Sequence, residues 1–366
     1  MKRDRNTHRR IATINSHHSV FLSRTANILG VHESDIKNIL VNHSFKSFRI
    51  NWLRYPGPKD ELVKNIEQLG IKLWPLKWFN DAYIFNSEDT ALLQASASAQ
   101  QGHIFIQNPS SYLPVIALEA GPNDSVLDMC SAPGGKATMI ASITNNPKNL
   151  TLNEPKEARV RKLQEVLGIQ GVVGAQVVSE DGRHLPNQLT NKFDRIIIDA
   201  ECSTEAGINF LSKAPLTGWS EEYILGMSVL QKQLISAGYD LLKPGGVLIY
   251  STCTFAPEEN EAVIASLQER RPDAVVQPLI FTSEKRIRKI KSWQGNHFPA
   301  HISESVLRIY PSDYMEGFFL ARIRKPTEDK TINAELVRPV DLTKLAKNML
   351  PIDAKLPVIH ARSKDV

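Results

Sequence analysis

The chain is poor in cysteine, in long apolar runs and in repeats. Three cysteines in 366 residues, Cys130, Cys202 and Cys253, are too few and odd in number for a disulfide framework. None stands at C-x-x-C spacing, which points to a reducing, cytoplasmic setting and away from a zinc or other metal site. No apolar stretch approaches bilayer-spanning length, so no membrane span is expected. Two phosphate-loop signatures are also missing. G-x-G-x-x-G does not occur at the first strand, which excludes the dinucleotide fingerprint. A P-loop fails because Ala137 follows Gly135-Lys136 where a hydroxyl must hold magnesium. Internal repeats and low-complexity segments are absent as well.

What is present centres on Leu127 to Thr138, LDMCSAPGGKAT. An apolar run ends in Asp128, a Pro-Gly-Gly turn follows, and a helix-compatible segment begins. The pattern reads as strand, tight turn and helix N-terminus. Gly134 and Gly135 let backbone approach a ligand with no Cβ in the way. The free N–H groups of the following helix favour an anionic group there. With the nucleoside-triphosphate and dinucleotide loops excluded, the cradle fits S-adenosylmethionine on a doubly wound α/β sheet.

Around it the chain divides into four parts. Residues 1–25 carry Lys2, Arg3, Arg5, Arg9, Arg10 and Arg24 against Asp4, and read as a mobile basic arm. Its composition fits an RNA contact, a plain solvated tail or an organellar transit segment. Residues 26–107 read as a small α+β domain, with Ser34 as the N-cap of a short helix and a strand over 45–52. Lys46, Arg49, Trp52, Arg54 and Tyr55 interleave bases with aromatics, which suits RNA and suits half-buried strand residues equally. Residues 108–326 alternate strands and helices, with strands at 125–130, 149–154, 175–181, 195–200 and 247–252 and two more at 305–310 and 317–323. Such alternation implies a mostly parallel sheet with right-handed crossovers. The run Lys285-Arg286-Ile287-Arg288-Lys289-Ile290-Lys291 reads as an exposed loop or an RNA contact. Residues 327–366 form a polar tail with a weak helical stretch at 342–350 and no assigned function. The net charge of +5 fits a polyanionic partner and an ordinary soluble enzyme alike. A monomer is the default oligomeric state.

Chemistry concentrates at strand carboxyl ends, where open α/β sheets bind ligands. Glu154 at the second tip is placed for ribose hydroxyls, and Asp181 at the third for the adenine amine. The fourth strand delivers Asp199 and Cys202, and the fifth Cys253, into one cleft. Two thiols beside an acid suggest covalent activation of an electron-poor ring. A thiolate adds to carbon 6 of a cytosine while the acid contacts ring nitrogen 3. Carbon 5 then becomes nucleophilic enough to take a methyl group, and loss of its proton frees the enzyme. An ordinary thiol is only a few per cent ionised near neutrality, a deficit of roughly 2 kcal/mol, so the site must help. Lys136 or a helix N-terminus can supply that help. The same chemistry on DNA would use Cys202 as attacker, and a non-catalytic RNA-binding factor is the reading from a different class.

These residues resemble the Sun and nucleolar-protein family of RNA cytosine-5 methyltransferases across Ser34 to Lys325, with the bacterial 16S ribosomal RNA branch nearest. The resemblance rests on Arg49-Ile50-Asn51, Gln107 with Ser110-Ser111, and Cys130-Ser131-Ala132-Pro133-Gly134-Gly135-Lys136. It continues through Asn153-Glu154 with Arg159, Asp181-Gly182-Arg183, Asp199 with Cys202, Tyr250 to Thr254 with Glu258 to Glu261, and Gly317-Phe318-Phe319. It implies a class I methyltransferase fold acting on ribosomal or transfer RNA. Cys253 would be the nucleophile, Cys202 the thiol that assists release, and Asp199 a cytosine contact, with Lys136 near cofactor and target. Residues 130–136, Glu154, Arg159, Asp181 and Asp199 would line the cofactor pocket. Two positions depart from the family pattern: Glu201 stands where proline usually precedes the cysteine, and Thr204 where glycine follows the serine. A carboxylate next to Cys202 is expected to disfavour its thiolate.

Overall fold

The computed structural model describes residues 17–40, 44–190, 192–327 and 337–349. Its centre is an eight-stranded sheet. Strands β5 (Val126–Asp128), β6 (Leu150–Asn153), β7 (Gln176–Val178), β8 (Phe193–Asp199) and β9 (Leu242–Thr252) pair in parallel in the order β7-β6-β5-β8-β9. The chain starts this set at β5, runs outward to β7, then returns to the other side of β5. That reversal leaves a crevice beyond the carboxyl ends of β5 and β8. The strand that closes the sheet beside β9, Phe318–Arg324, runs antiparallel and carries two short strands, Val275–Gln277 and Leu307–Ile309, on its far edge. Ile196, Ile197 and Ile198 are all fully buried, as expected of a parallel strand covered on both faces.

Helices cover those faces. One of them, Gly135–Thr144, follows β5 and starts at Gly134, whose φ of 110° is left-handed and strained for any side chain. Another, Glu157–Ile169, follows β6. The long helix Glu221–Leu241 precedes β9 and is capped by the Ser220 hydroxyl on the Tyr223 N–H, with Glu221 and Glu222 in its positive first turn.

A smaller antiparallel sheet lies N-terminal to this domain, in the order β2 (Trp74–Pro75), β3 (Ala82–Asn86), β1 (Phe45–Ile50), β4 (Ile104–Ile106). It has its own core of Phe48, Ile50, Leu62, Ile66 and Phe85.

Both ends of the chain depart from the sequence reading. Residues 17–29 are helical, and Arg24 is buried between Glu221 at 3.1 Å and Glu258 at 3.0 Å, so the basic arm does not extend to residue 25. The rest of that arm, residues 1–16 with Lys2 to Arg10, lies outside the described residues. This helix and the next, Glu33–Ile39, pack Phe21, Ile28, Leu29 and Ile36 against Trp219, Phe255, Ile287 and Ile290. They therefore belong with the large domain, and the small one is the sheet of 45–106. The second helix is capped at His32 without a side-chain bond, so Ser34 is not its cap. At the other end, Val340–Asp341 pairs with Leu279–Ile280, and helix Leu342–Asn348 buries Leu342 and Ala346 in the main core. That part of the tail is structural; residues 350–366 lie outside the described residues.

Candidate active site

The crevice holds a cleft of about 560 Å³ lined by Cys130, Ala132, Glu154, Arg159, Asp181, Asp199, Cys202 and Cys253, among others. Five strand ends therefore converge on it, those of β5, β6, β7, β8 and β9. Ser131, Pro133, Gly134, Gly135 and Lys136 are not in that lining; they build the turn behind it.

On the β6 side, Glu154 is almost fully buried. Its carboxylate accepts from the Lys156 N–H at 3.0 Å and faces the Arg159 guanidinium at 3.3 Å. Arg159 also donates to the Ala132 carbonyl at 2.8 Å, tying the loop after β5 to the helix after β6. Asp181 is held by its neighbour Arg183, whose hydrogen bonds pull the carboxyl down to about 2. Asp128, sealed at the end of β5, is pushed up to about 7 by burial. Burial also pushes the Cys130 thiol well above its usual range.

On the β8 and β9 side, the sulfurs of Cys202 and Cys253 lie 3.5 Å apart. Both are free thiols. The hydrogen bond to Cys253, then burial, pushes the Cys202 thiol far above the ordinary thiol range, so Cys202 keeps its proton. Asp199 accepts from the Ser251 hydroxyl at 2.8 Å and pairs with Lys136 at 2.5 Å. The Lys136 charge is thus engaged by Asp199. Glu201 turns away from the sulfurs into an exposed ion pair with Lys156 at 2.8 Å. The acid that raises Cys202 electrostatically is Glu259, not the adjacent Glu201 as the sequence suggested. Thr204 has φ 56°, a left-handed backbone in which a β-branched residue is strained. The backbone there keeps the form that glycine adopts freely.

The expected RNA contacts divide differently. Arg49 is buried, donates to the Gly135 carbonyl at 3.2 Å and the Thr138 hydroxyl at 2.7 Å, and stacks over Phe105. It is an internal strut between the small sheet and the helix after β5, which corrects its reading as an RNA contact. Its neighbours act likewise, since Arg54 caps Ile169 and Gly168 at the end of the helix after β6. Lys285, Arg286, Arg288 and Lys289 are exposed and lie away from the cleft lining. Ile287 and Ile290 bury between them. Lys285 sits on the Tyr310 ring, Arg288 donates to Asn27, and Lys289 pairs with Glu304.

Two functional candidates received no role from the sequence. Glu205 and Glu259, both fully buried, hold the residues that follow the cysteines. Glu259 stands in the run Glu258 to Glu261, of which Glu259, Asn260 and Glu261 are all buried, and no local signal marks the one that turns toward the cysteines.

A family profile described as 16S rRNA methyltransferase RsmB/F matches residues 115–324. The chain belongs to this family. Its class I methyltransferase fold is shared with a methyltransferase homologue from Pyrococcus horikoshii, at a TM-score of 0.69 and 26% identity, covering 83% of this chain and 93% of that one. The protein is 35% identical over 286 residues to ribosomal RNA small subunit methyltransferase F of Vibrio campbellii, covering 77% of this chain and 57% of that protein. The protein of the same name from Salmonella paratyphi C is 34% identical over 290 residues, with 76% and 57% covered. The chain thus spans a little over half the length of the curated relatives it matches. Among the described residues, no helix is long and apolar enough to cross a membrane, and no His, Cys, Asp and Glu group could hold a metal ion.

Proposed function

We propose that the protein is an S-adenosylmethionine-dependent RNA cytosine-5 methyltransferase acting on small-subunit ribosomal RNA. The observation that carries this reading is the pair of sulfurs 3.5 Å apart at the ends of adjacent parallel strands, beside Asp199 and open to the cleft. The curated relatives' name supplies the RNA class.

The residues fit the cofactor by their donor set. Glu154 offers a buried carboxylate to ribose hydroxyls, Asp181 offers an acceptor to the adenine amine, and the cleft volume lies in the range of small-molecule sites. When bound, S-adenosylmethionine supplies an electrophilic methyl group. The chain's own task is to make carbon 5 of cytosine nucleophilic. Cys253 adds its thiolate to carbon 6, and Asp199, fixed by Ser251 and Lys136, meets the nitrogen edge of the ring. Once a base has taken the carbon-5 proton, the ring double bond re-forms as the Cys253 sulfur departs, and Cys202, which keeps its own proton beside that sulfur, assists the departure. The target base must leave its stack to reach these groups. All of them come from one chain, which supports action as a monomer, and three free thiols suit the reducing cytoplasm.

Cys253→Ala protein, given labelled cofactor and ribosomal RNA, is expected to lose at least about a thousandfold in methyl transfer. RNA bearing 5-fluorocytosine should attach to wild-type protein through Cys253. Residual transfer near the wild-type rate, or attachment at Cys202, would overturn the assignment.

A further inference from the structure

Directly behind the two cysteines lies a closed polar network that the reaction as described does not use. Ser203 follows Cys202 and Thr254 follows Cys253, and their hydroxyls meet at 2.7 Å. Glu259 accepts from both the Ser203 hydroxyl and the Ser203 N–H, the latter at 3.0 Å. Gln231 donates to the same carboxylate at 2.8 Å and to the Glu201 carbonyl at 2.9 Å. On the opposite side Glu205 accepts from the Thr254 hydroxyl at 2.9 Å, the Phe255 N–H at 3.1 Å and the Trp219 indole at 2.9 Å. Glu205, Gln231, Thr254 and Glu259 are all buried to 1% exposure or less. The two strand-end loops are therefore latched to each other through side chains, one residue beyond each sulfur.

Burying two carboxyls that form no ion pair among the described residues, with only the charge of Arg24 near Glu205, is unfavourable, and an apolar filling would be at least as stable. What the network provides is geometry. A thiol that assists departure of the Cys253 sulfur has to stay within hydrogen-bond reach of it, and Cys202 sits on a loop strained at Thr204. Without the latch, that loop relaxes and carries Cys202 away.

We propose that Glu259 is the positioning residue of product release, holding Cys202 against Cys253 through Ser203. This rests on the two-cysteine reading above and deepens it. Glu259 touches neither substrate nor cofactor; it acts through Ser203.

The test uses full-length protein and unmodified RNA, measuring turnover, KM and the fraction of protein carried as a denaturant-stable RNA adduct. Glu259→Ala should lower kcat about tenfold or more with KM within about twofold, and should accumulate adduct as Cys202→Ala does. Combining the two substitutions should cost no more than Cys202→Ala alone, since both break one unit. Glu259→Gln, which can keep the bonds by accepting from the Ser203 N–H and donating to its hydroxyl, should restore turnover to within about threefold. Ser203→Ala breaks the same latch with a smaller change and decides the matter if Glu259→Ala does not fold. Wild-type turnover by Glu259→Ala or Ser203→Ala, full additivity with Cys202→Ala, or failure of Glu259→Gln to rescue overturns the proposal alone. Retained methylation by Cys253→Ala overturns the underlying reading, and this proposal falls with it.

Discussion

Arg49 and Glu259 are both buried charges solvated by neutral dipoles, with no ion-pair partner among the described residues. They differ in what each can do about it. Burial lowers the Arg49 guanidinium to about 10, which leaves it charged at any physiological pH. Burial raises the Glu259 carboxyl to about 7, so that it can discharge by taking a proton. A cation that cannot neutralise itself is suited to a permanent strut, and Arg49 spans the seam between the small sheet and the helix after β5. A carboxyl that titrates near neutrality is suited to the reactive end, where hydrogen bonds are rearranged. The contrast with Arg308 and Glu261 is instructive, because that pair is equally buried and fully compensated, and it lies away from the cleft lining.

The sharpest way to break this comparison is to remove the strut. Arg49→Ala removes a donor from the Thr138 hydroxyl and from the Gly135 carbonyl, which keeps only its bond from Thr138 at 3.1 Å among side-chain donors, and opens a cavity. It should lower unfolding free energy by about 4 kcal/mol in urea titrations. Arg49→Lys should recover only part of this, because one guanidinium nitrogen meets both acceptors and an ammonium can stand in for it, while the Nε bond to Gln107 at 3.4 Å and the planar stack on Phe105 are lost. Cofactor affinity should fall in the same variants, since the helix they unpin carries Lys136. A stability change under 1 kcal/mol would make Arg49 a passenger in the seam.

The second test turns on the titration of Glu259. Its folded-state value is raised above the ordinary 4.5, so the folded protein holds this proton more tightly than the unfolded chain. That contribution is fully present below the unfolded value and is lost as pH rises through about 7. Between about pH 5 and pH 8, wild-type protein should lose up to about 3 kcal/mol relative to Glu259→Gln. Asp128 and Glu205 are also raised, but both remain in the variant, so the difference between the two proteins isolates Glu259. Parallel stability profiles would place the titration elsewhere.

The acid-lined half of the cleft could be read from the chain because each acid there ends an apolar run, and a parallel sheet gathers strand ends to one edge. Glu154, Asp181 and Asp199 all line the cleft for that reason. The sulfurs followed from the same logic. The latch did not, because Glu205 and Glu259 follow no periodic pattern and owe their burial to contacts between distant segments. Arg49 misled for a related reason: a base in an alternating strand has the same local pattern whether its face meets solvent or a second domain. The N-terminal helix had an apolar face in Phe21 and Ile28, but its basic residues, Arg24 among them, obscured it.

The smallest effect should come from the residue that the sequence made most conspicuous. Glu201 stands next to Cys202 where the family usually has proline, and adjacency alone suggests that it sets the thiol's charge. Its carboxylate points into solvent and pairs with Lys156, both about half exposed. Exposed pairs of this kind are worth at most about 1 kcal/mol. Glu201→Gln should therefore change stability by less than about 0.5 kcal/mol. The alkylation rate of Cys202, read by peptide mass spectrometry, should also stay at the wild-type value. Glu259→Gln, which removes a buried negative charge close to the same sulfur, should raise that rate. If the two variants exchanged these behaviours, proximity along the chain would outweigh burial in setting the thiol's protonation, and the assignment of Glu259 as the acid behind Cys202 would fail.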